Sequence, residues 1–153
     1  VILGKGDQKY EEFFSWAAQQ YHGRMAVCLD YNEALSMAIY SGADLFLMPS
    51  KSEPCGLSQM IAMRYGTVPI VRETGGLKDT VHAYEAWRDS GNGFSFDQYR
   101  ADLLLNAVNY AKTLYFTERD NWDAMVRRAM ETDHSWNASA KDYIALYHRV
   151  LGD

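Results

Sequence analysis

The stretch Ser52-Glu53-Pro54-Cys55-Gly56-Leu57-Ser58-Gln59 concentrates the groups best suited to chemistry. It follows an apolar run, and its glycine stands where a helix should open. The first N–H groups of a helix have no partner inside it, and the aligned peptide dipoles leave partial positive charge there. A phosphate-bearing substrate would set its oxygens on the amides of Gly56, Leu57 and Ser58. Glu53 would then lie near that phosphate but not on it, facing a sugar hydroxyl or a developing positive charge. The competing reading is a helix-entry loop with a solvated Glu53, and on these residues alone the two stand level. Cys55 has no histidine partner in the sequence, so it reads as a small residue lining the loop rather than as a nucleophile.

Three further segments carry weaker signals. Gly4-Lys5-Gly6-Asp7 follows a short apolar run, and a Gly-x-Gly there lets a phosphate approach backbone amides. No third glycine opens the helix, so the dinucleotide fingerprint is incomplete and a plain turn is the stronger reading. At Asp30-Tyr31 the ring either stacks on a planar ligand or packs under a loop. Thr74-Gly75-Gly76-Leu77 is either a ligand contact or a turn needing positive φ. His22, His82, His134 and His148 lack ligand-like spacing, and no Asp-x-Asp pair is present, so no metal site is expected. Met60, Met63, Met125 and Met130 sit at helical spacing and are expected in the core.

The elements that must hold these segments alternate. Strands are expected at 1–3, 25–29, 43–48 and 68–71, with a short one at 93–96. Helices are expected at 8–21, 31–40, 57–65 and 77–81, then at 100–116, 119–131 and 135–150. Tyr10, Phe13, Phe14, Ala17 and Tyr21 give the first helix its apolar spacing. Asp30 with Glu33 reads as a capping box, Asp97 as a cap for the helix at 100, and Ser135 as a cap for the last. Strands that are apolar throughout, alternating with helices, imply a parallel sheet covered on both faces. The fold class is therefore α/β and Rossmann-like, and ligands in such sheets sit beyond the carboxyl ends of the strands. The four segments above all fall at such ends.

The length of 153 residues suits one domain. Fifteen basic against twenty acidic side chains give a net charge of −5. The basic residues are scattered, so a nucleic-acid partner is not expected. No apolar run approaches the ~18–20 residues of a membrane span. Two cysteines, Cys28 and Cys55, are too few for a disulfide framework and fit a reducing compartment. The chain opens directly on Val1-Ile2-Leu3, which reads as a strand already under way in something longer.

The run SEPCGLSQMIAMRYGTVPIVRETGGLKDTV closely resembles the signature of bacterial glycogen synthases and plant starch synthases, retaining glucosyltransferases of the two-lobed GT-B fold. LGKGD, the DYNEA segment before SGADLFLMPS, and the late DHSW…AKDYIALYHRVL agree in register. The resemblance implies that residues 1–153 are a single truncated C-terminal lobe, the one that binds the nucleotide-sugar donor. The N-terminal lobe and the first strand–helix unit would be absent. It implies that Glu53 lies at the donor glucose as the catalytic carboxylate, with Cys55 and Gly56 lining the same loop. The amides of Leu57 and Ser58 would hold the distal phosphate, and Tyr31 would stack on the adenine. Gly4, Gly6, Thr74, Gly75 and Gly76 are further candidate contacts.

The implied reaction moves glucose from ADP-glucose to the non-reducing 4-hydroxyl of an α-1,4-glucan with retention. It uses neither metal nor cofactor, and the glucan is held by the other lobe. The implied setting is a bacterial cytoplasm or a plastid stroma. Related GT-B enzymes carry a second glutamate that would fall at Ile61 here, so none is expected. The basic pair that the family sets on the diphosphate would lie before Val1, and Lys5 is not one of them. The fragment alone is expected to be inactive or nearly so. Two other readings stand beside this one: a non-catalytic nucleotide- or glucan-binding module, and a GT-B enzyme using another nucleotide sugar.

Overall fold

The computed structural model describes residues 1–152. Strands and helices alternate in the order β1 (Ile2–Leu3), α1 (Gln8–Gln20), β2 (Val27–Cys28), α2 (Glu33–Gly42), β3 (Leu45–Met48), α3 (Ser58–Arg64), β4 (Val68–Arg72), α4 (Gly76–Thr80) and β5 (Phe94–Phe96). Three helices follow, α5 (Ala101–Thr117), α6 (Arg119–Glu131) and α7 (Trp136–Leu151). All strand pairs are parallel, as the apolar runs imply. The ladder forms two separate sheets, and the chain divides into two compact units, Val1–Ala43 and Asp44–Asp153.

In the first unit β1 pairs with β2 in the register Ile2↔Val27 and Leu3↔Cys28, joined by the crossover helix α1. Ala17 is the only buried residue of α1, and Tyr10, Phe13 and Tyr21 are exposed. Two strands of two residues are too narrow to cover an aromatic stripe of that length. The entry to α2 differs from the expected capping box. Asn32 is the N-cap, its Oδ1 accepting from the Leu35 N–H at 2.9 Å. Asp30 instead accepts from the adjacent Tyr31 N–H at 2.8 Å. The helix starts two residues later than the spacing of Asp30 and Glu33 implies, because Asn is as good a cap as Asp and stands next to the first helical residue.

In the second unit β4 lies between β3 and β5. Its residues 68–71 are all buried. Val68 and Ile70 face a core of Tyr84, Phe94, Ala111, Leu114, Trp122 and Met125. Val71 faces the other way, onto Leu77 and Val81. That two-sided burial explains why the strand shows no polar alternation. Pro69 sits inside this central strand without breaking it. Val68 N–H donates toward β3, to the Asp44 carbonyl at 3.0 Å, so the Pro69 nitrogen faces the β5 side. The β5 ladder begins one residue later, at Ile70↔Phe94, and no bond is lost there.

Helices α5 and α6 close the larger core. Trp122 is 2% exposed and stacks on Phe94 at 6.5 Å between ring centroids, while Tyr115 meets it edge-on at 5.0 Å. Met63 and Met125 are fully buried, as expected, but Met130 is exposed. The cap expected at Asp97 is not made: Arg100 is the N-cap of α5 and offers no side-chain bond. Ser135 does cap α7, its Oγ accepting from Ala138 N–H at 3.3 Å. Helix α7 buries none of its residues, and Trp136 is 87% exposed.

Tyr84 has a 5% exposed side chain whose hydroxyl finds no partner among the described residues. Burial first, and then the charges of Asp89 and Glu118, push its phenol above the ordinary value of 10.0. Its contribution to stability is present below pH 10 and is lost as pH rises through the folded-state value, because the unfolded tyrosine ionises first. Two outcomes are expected from urea melts. Trp122→Ala loses about 3–5 kcal/mol. Tyr84→Phe stays within about 1 kcal/mol of the parent at pH 7, because no bond is broken. Above pH 10 it declines less than the parent does.

Candidate functional site

The segments picked out for chemistry all lie at the carboxyl ends of parallel strands, which is where open α/β sheets bind ligands. In the first unit β1 and β2 bring Gly4, Lys5 and Gly6 beside Asp30 and Tyr31. Lys5 Nζ lies 3.5 Å from Asp30 Oδ1, an exposed pair of small energetic weight. The Tyr31 ring is 86% exposed, so it is not packed under a loop. The Gly4 N–H pairs with the Cys28 carbonyl, and the Gly6 N–H donates to the Glu11 carboxylate at 2.9 Å. Both amides are thus engaged, and an anion at Gly6 would have to displace a carboxylate from the first turn of α1.

In the second unit the loop between β3 and α3 is pinned at three places. At its start, Arg72 from the end of β4 reaches across. Its Nε donates to the Ser50 carbonyl at 2.8 Å and its Nη2 to the Lys51 carbonyl. In the middle, the turn after β4 presses against the loop. The Gly76 N–H donates to the Pro54 carbonyl at 3.1 Å. Gly75 has φ +46°, and a Cβ there would run into the Glu53 carbonyl oxygen. Only glycine meets both demands. At its end, the carboxamide of Gln59 reaches back to the Cys55 and Gly56 carbonyls.

Glu53 is half-buried in this loop, while Cys55 is an exposed free thiol. Gly75 and Gly76 therefore do meet the Glu53–Cys55 segment, which their spacing in the chain did not reveal. The Thr74 carbonyl instead accepts from the Leu77 N–H within its own turn. Leu57 is the N-cap of α3 and, like Gly56 and Ser58, has an N–H with no acceptor among the described residues. Tyr31, Gly4 and Gly6 belong to the other unit and are grouped only with one another. No group of three His, Cys, Asp or Glu among the described residues could hold a metal ion.

Arg72, Gln59 and Thr80 carry structural duties here that the motif reading did not assign. Two of them leave a trace in the sequence. Arg72 is a single cation ending an apolar strand. Gln59 is a polar residue on the stripe Gln59, Ala62, Met63, which is the buried face of α3. Thr80 leaves none, because its partner is 21 residues away.

This parallel α/β fold, with a glycine-pinned carboxylate loop at its strand ends, matches the GT-B glycosyltransferase class in both family and solved structure. The model of the family Glycosyl transferases group 1 matches residues 1–129, and the chain belongs to that family. It is 50% identical over 150 residues to the glycogen synthase of Lachnospira eligens and 47% identical over 152 residues to that of Clostridium beijerinckii. These alignments take in 98% and 99% of this chain but 31% and 32% of the relatives, so the chain spans about a third of their length. Among solved structures, the catalytic domain of starch synthase IV from Arabidopsis thaliana, bound to ADP and acarbose, superposes with a TM-score of 0.83 at 37% identity. The match covers 98% of this chain and 31% of that one. Sucrose-phosphate synthase from Thermosynechococcus elongatus shares the fold, with a TM-score of 0.64 at 24% identity over 98% of this chain and 38% of its own.

The contact between Gly75 and the Glu53 carbonyl is directly testable. Gly75→Ala should keep the β3–β4–β5 core folded while displacing the loop. Amide resonances of Glu53, Cys55 and Gly56 should then shift, with those of Val68 to Val71 unmoved. The melting midpoint should fall by the equivalent of about 1–3 kcal/mol.

Proposed function

We propose that this chain is the donor-binding lobe of a glycogen or starch synthase that transfers glucose from ADP-glucose to the non-reducing end of an α-1,4-glucan, with retention at the anomeric carbon. The observation that carries the reading is the pinned loop. A half-buried Glu53 shares the loop at the end of a parallel strand with Gly56, Leu57 and Ser58, whose amides have no acceptor among the described residues, in a chain about half identical to glycogen synthases. The ADP bound in the starch synthase catalytic domain supports ADP as the nucleotide.

In this reading Glu53 is the catalytic carboxylate. It holds hydroxyls of the donor glucose and stabilises positive charge as the bond from sugar to phosphate breaks. Cys55 and Gly56 line the glucose pocket. The Leu57 and Ser58 amides meet the distal phosphate oxygens, where negative charge grows in the transition state. Tyr31 offers its exposed ring to the adenine, and Gly4, Gly6 and Thr74 to Gly76 border the ligand. The departing phosphate oxygen takes the proton of the incoming glucan hydroxyl on the face that the diphosphate leaves. The proposed reaction uses no metal and no cofactor, and the acceptor glucan is held by a second lobe outside this sequence. A bacterial cytoplasm or a plastid stroma is the proposed setting. No described helix is long and apolar enough to cross a membrane.

Calorimetric titration of the chain with ADP and UDP tests the nucleotide. ADP should bind about tenfold more tightly than UDP or better, and Tyr31→Ala should lose most of that affinity, since stacking on an aromatic ring contributes roughly 1–3 kcal/mol. Equal binding of UDP would point to another nucleotide sugar, and a folded chain that binds neither would overturn the reading. In the full-length protein, Glu53→Gln should lower kcat by about a hundredfold or more with little change in donor KM.

A further inference from the structure

We propose that Gln59 is a positioning residue whose carboxamide fixes the shape of the Glu53–Gly56 loop and thereby the recognition of the donor sugar. The second half rests on the donor-lobe reading above. The first half rests on geometry alone.

Gln59 is the second residue of α3 and is fully buried. Burying a carboxamide is unfavourable unless its polar atoms are bonded. Its Nε2 donates to the Gly56 carbonyl at 2.8 Å, to the Cys55 carbonyl at 3.3 Å and to Thr80 Oγ1 at 3.1 Å. Thr80 Oγ1 donates onward to the Gly76 carbonyl at 2.7 Å. One carboxamide therefore joins the end of the Glu53 loop to the helix that follows the Gly75-Gly76 turn. Two carbonyl oxygens on the same side can be met only by the NH2 group, so the orientation of the amide is settled. Its Oε1 then points the other way and has no partner among the described residues. It lies 2.6 Å from where a Cβ on Gly56 would stand, and Gly56 has φ +76°. Gly56 is thus favoured by its backbone, and a Cβ there would also push the Gln59 carboxamide aside.

A trans peptide directs its C=O and N–H to opposite sides. Drawing the Cys55 and Gly56 carbonyls inward onto Gln59 therefore turns the N–H groups of Gly56 and Leu57 outward. No acceptor within the described residues takes either. Gln59 sets the direction of two amides of the loop that carries Glu53 without presenting any atom of its own to the surface. The unmatched Oε1 is a cost to stability. A residue kept for packing alone would not carry it, and an apolar side chain of the same length would remove it.

The test uses the 153-residue chain with Gln59→Met, Thr80→Val and Thr80→Ser. Amide resonances and hydrogen exchange report the loop, and calorimetry compares ADP-glucose with ADP. Gln59→Met should fold but melt below the parent, because the Cys55 and Gly56 carbonyls lose their donor. It should shift the Gly56 and Leu57 resonances and raise the exchange of the loop amides. Its ADP-glucose affinity should fall about tenfold, and ADP, which shares the phosphate contact at Leu57 but carries no glucose, should lose less. Thr80→Val should move the same readouts less far, and Thr80→Ser should restore them. A folded Gln59→Met chain whose Gly56 and Leu57 resonances stay in place overturns the proposal. So does an equal loss of both affinities. Should Gln59→Met not fold, Thr80→Val decides by the same resonances. If the unsubstituted chain binds neither ligand, the donor-lobe reading falls, and the resonances alone still decide whether Gln59 holds the loop.

Discussion

A parallel strand covered on both faces must carry apolar side chains in both directions, and Val68-Pro69-Ile70-Val71 meets that demand in the larger unit. The strand β4 sets the register of β3 on one side and of β5 on the other. Its two faces hold the two buried clusters apart. The loop after β3 and the turn after β4 emerge at the same end because the strands are parallel and paired residue for residue. Glu53 meets Gly75 for that reason, and for no reason visible in their separation along the chain.

The loop that bears Glu53 is held mainly by polar contacts to its own backbone. Arg72 takes the carbonyls at its start, the Gly76 amide takes Pro54, and Gln59 takes the carbonyls at its end. Fixing a loop costs roughly 1–2 kcal/mol of backbone entropy per residue. Side chains that are themselves anchored, Arg72 on a strand and Gln59 within a helix, offset that cost before a ligand arrives. Preorganisation of this kind lets amides meet a developing charge without moving. The same economy explains the glycines: Gly56 and Gly75 stand where the backbone must turn and where a neighbour leaves no room for a Cβ.

The smaller unit shows what happens without such coverage. Two short strands and two helices leave Tyr10, Phe13, Trp16 and Tyr21 exposed. Tyr31, which the residues alone left divided between stacking and packing, is open at its strand end. Helix α7 likewise carries Trp136, Tyr147 and Val150 in solvent.

Much of the fold was legible beforehand, because apolar periodicity reflects burial directly. The twelve elements fall near the expected places, and the parallel class follows from strands that never alternate. The glycine-rich loops and the carboxylate between them were also visible, since only particular residue types tolerate those backbone turns. What stayed hidden were contacts between residues far apart in the chain. The cap at Asp30 was misplaced because Asn32 nearby offers the backbone an equivalent bond, and the one at Asp97 because α5 has Arg100 as its N-cap, with no side-chain bond at all. The link of Gln59 to Thr80 and the wedge of Gly75 against Glu53 arise only when β3 and β4 lie side by side, whereas the grip of Gln59 on Cys55 and Gly56 is local to the entry of α3. Residue types record the conformations a segment can adopt. Which segments touch is decided by the register of the sheet, and no single segment contains that information.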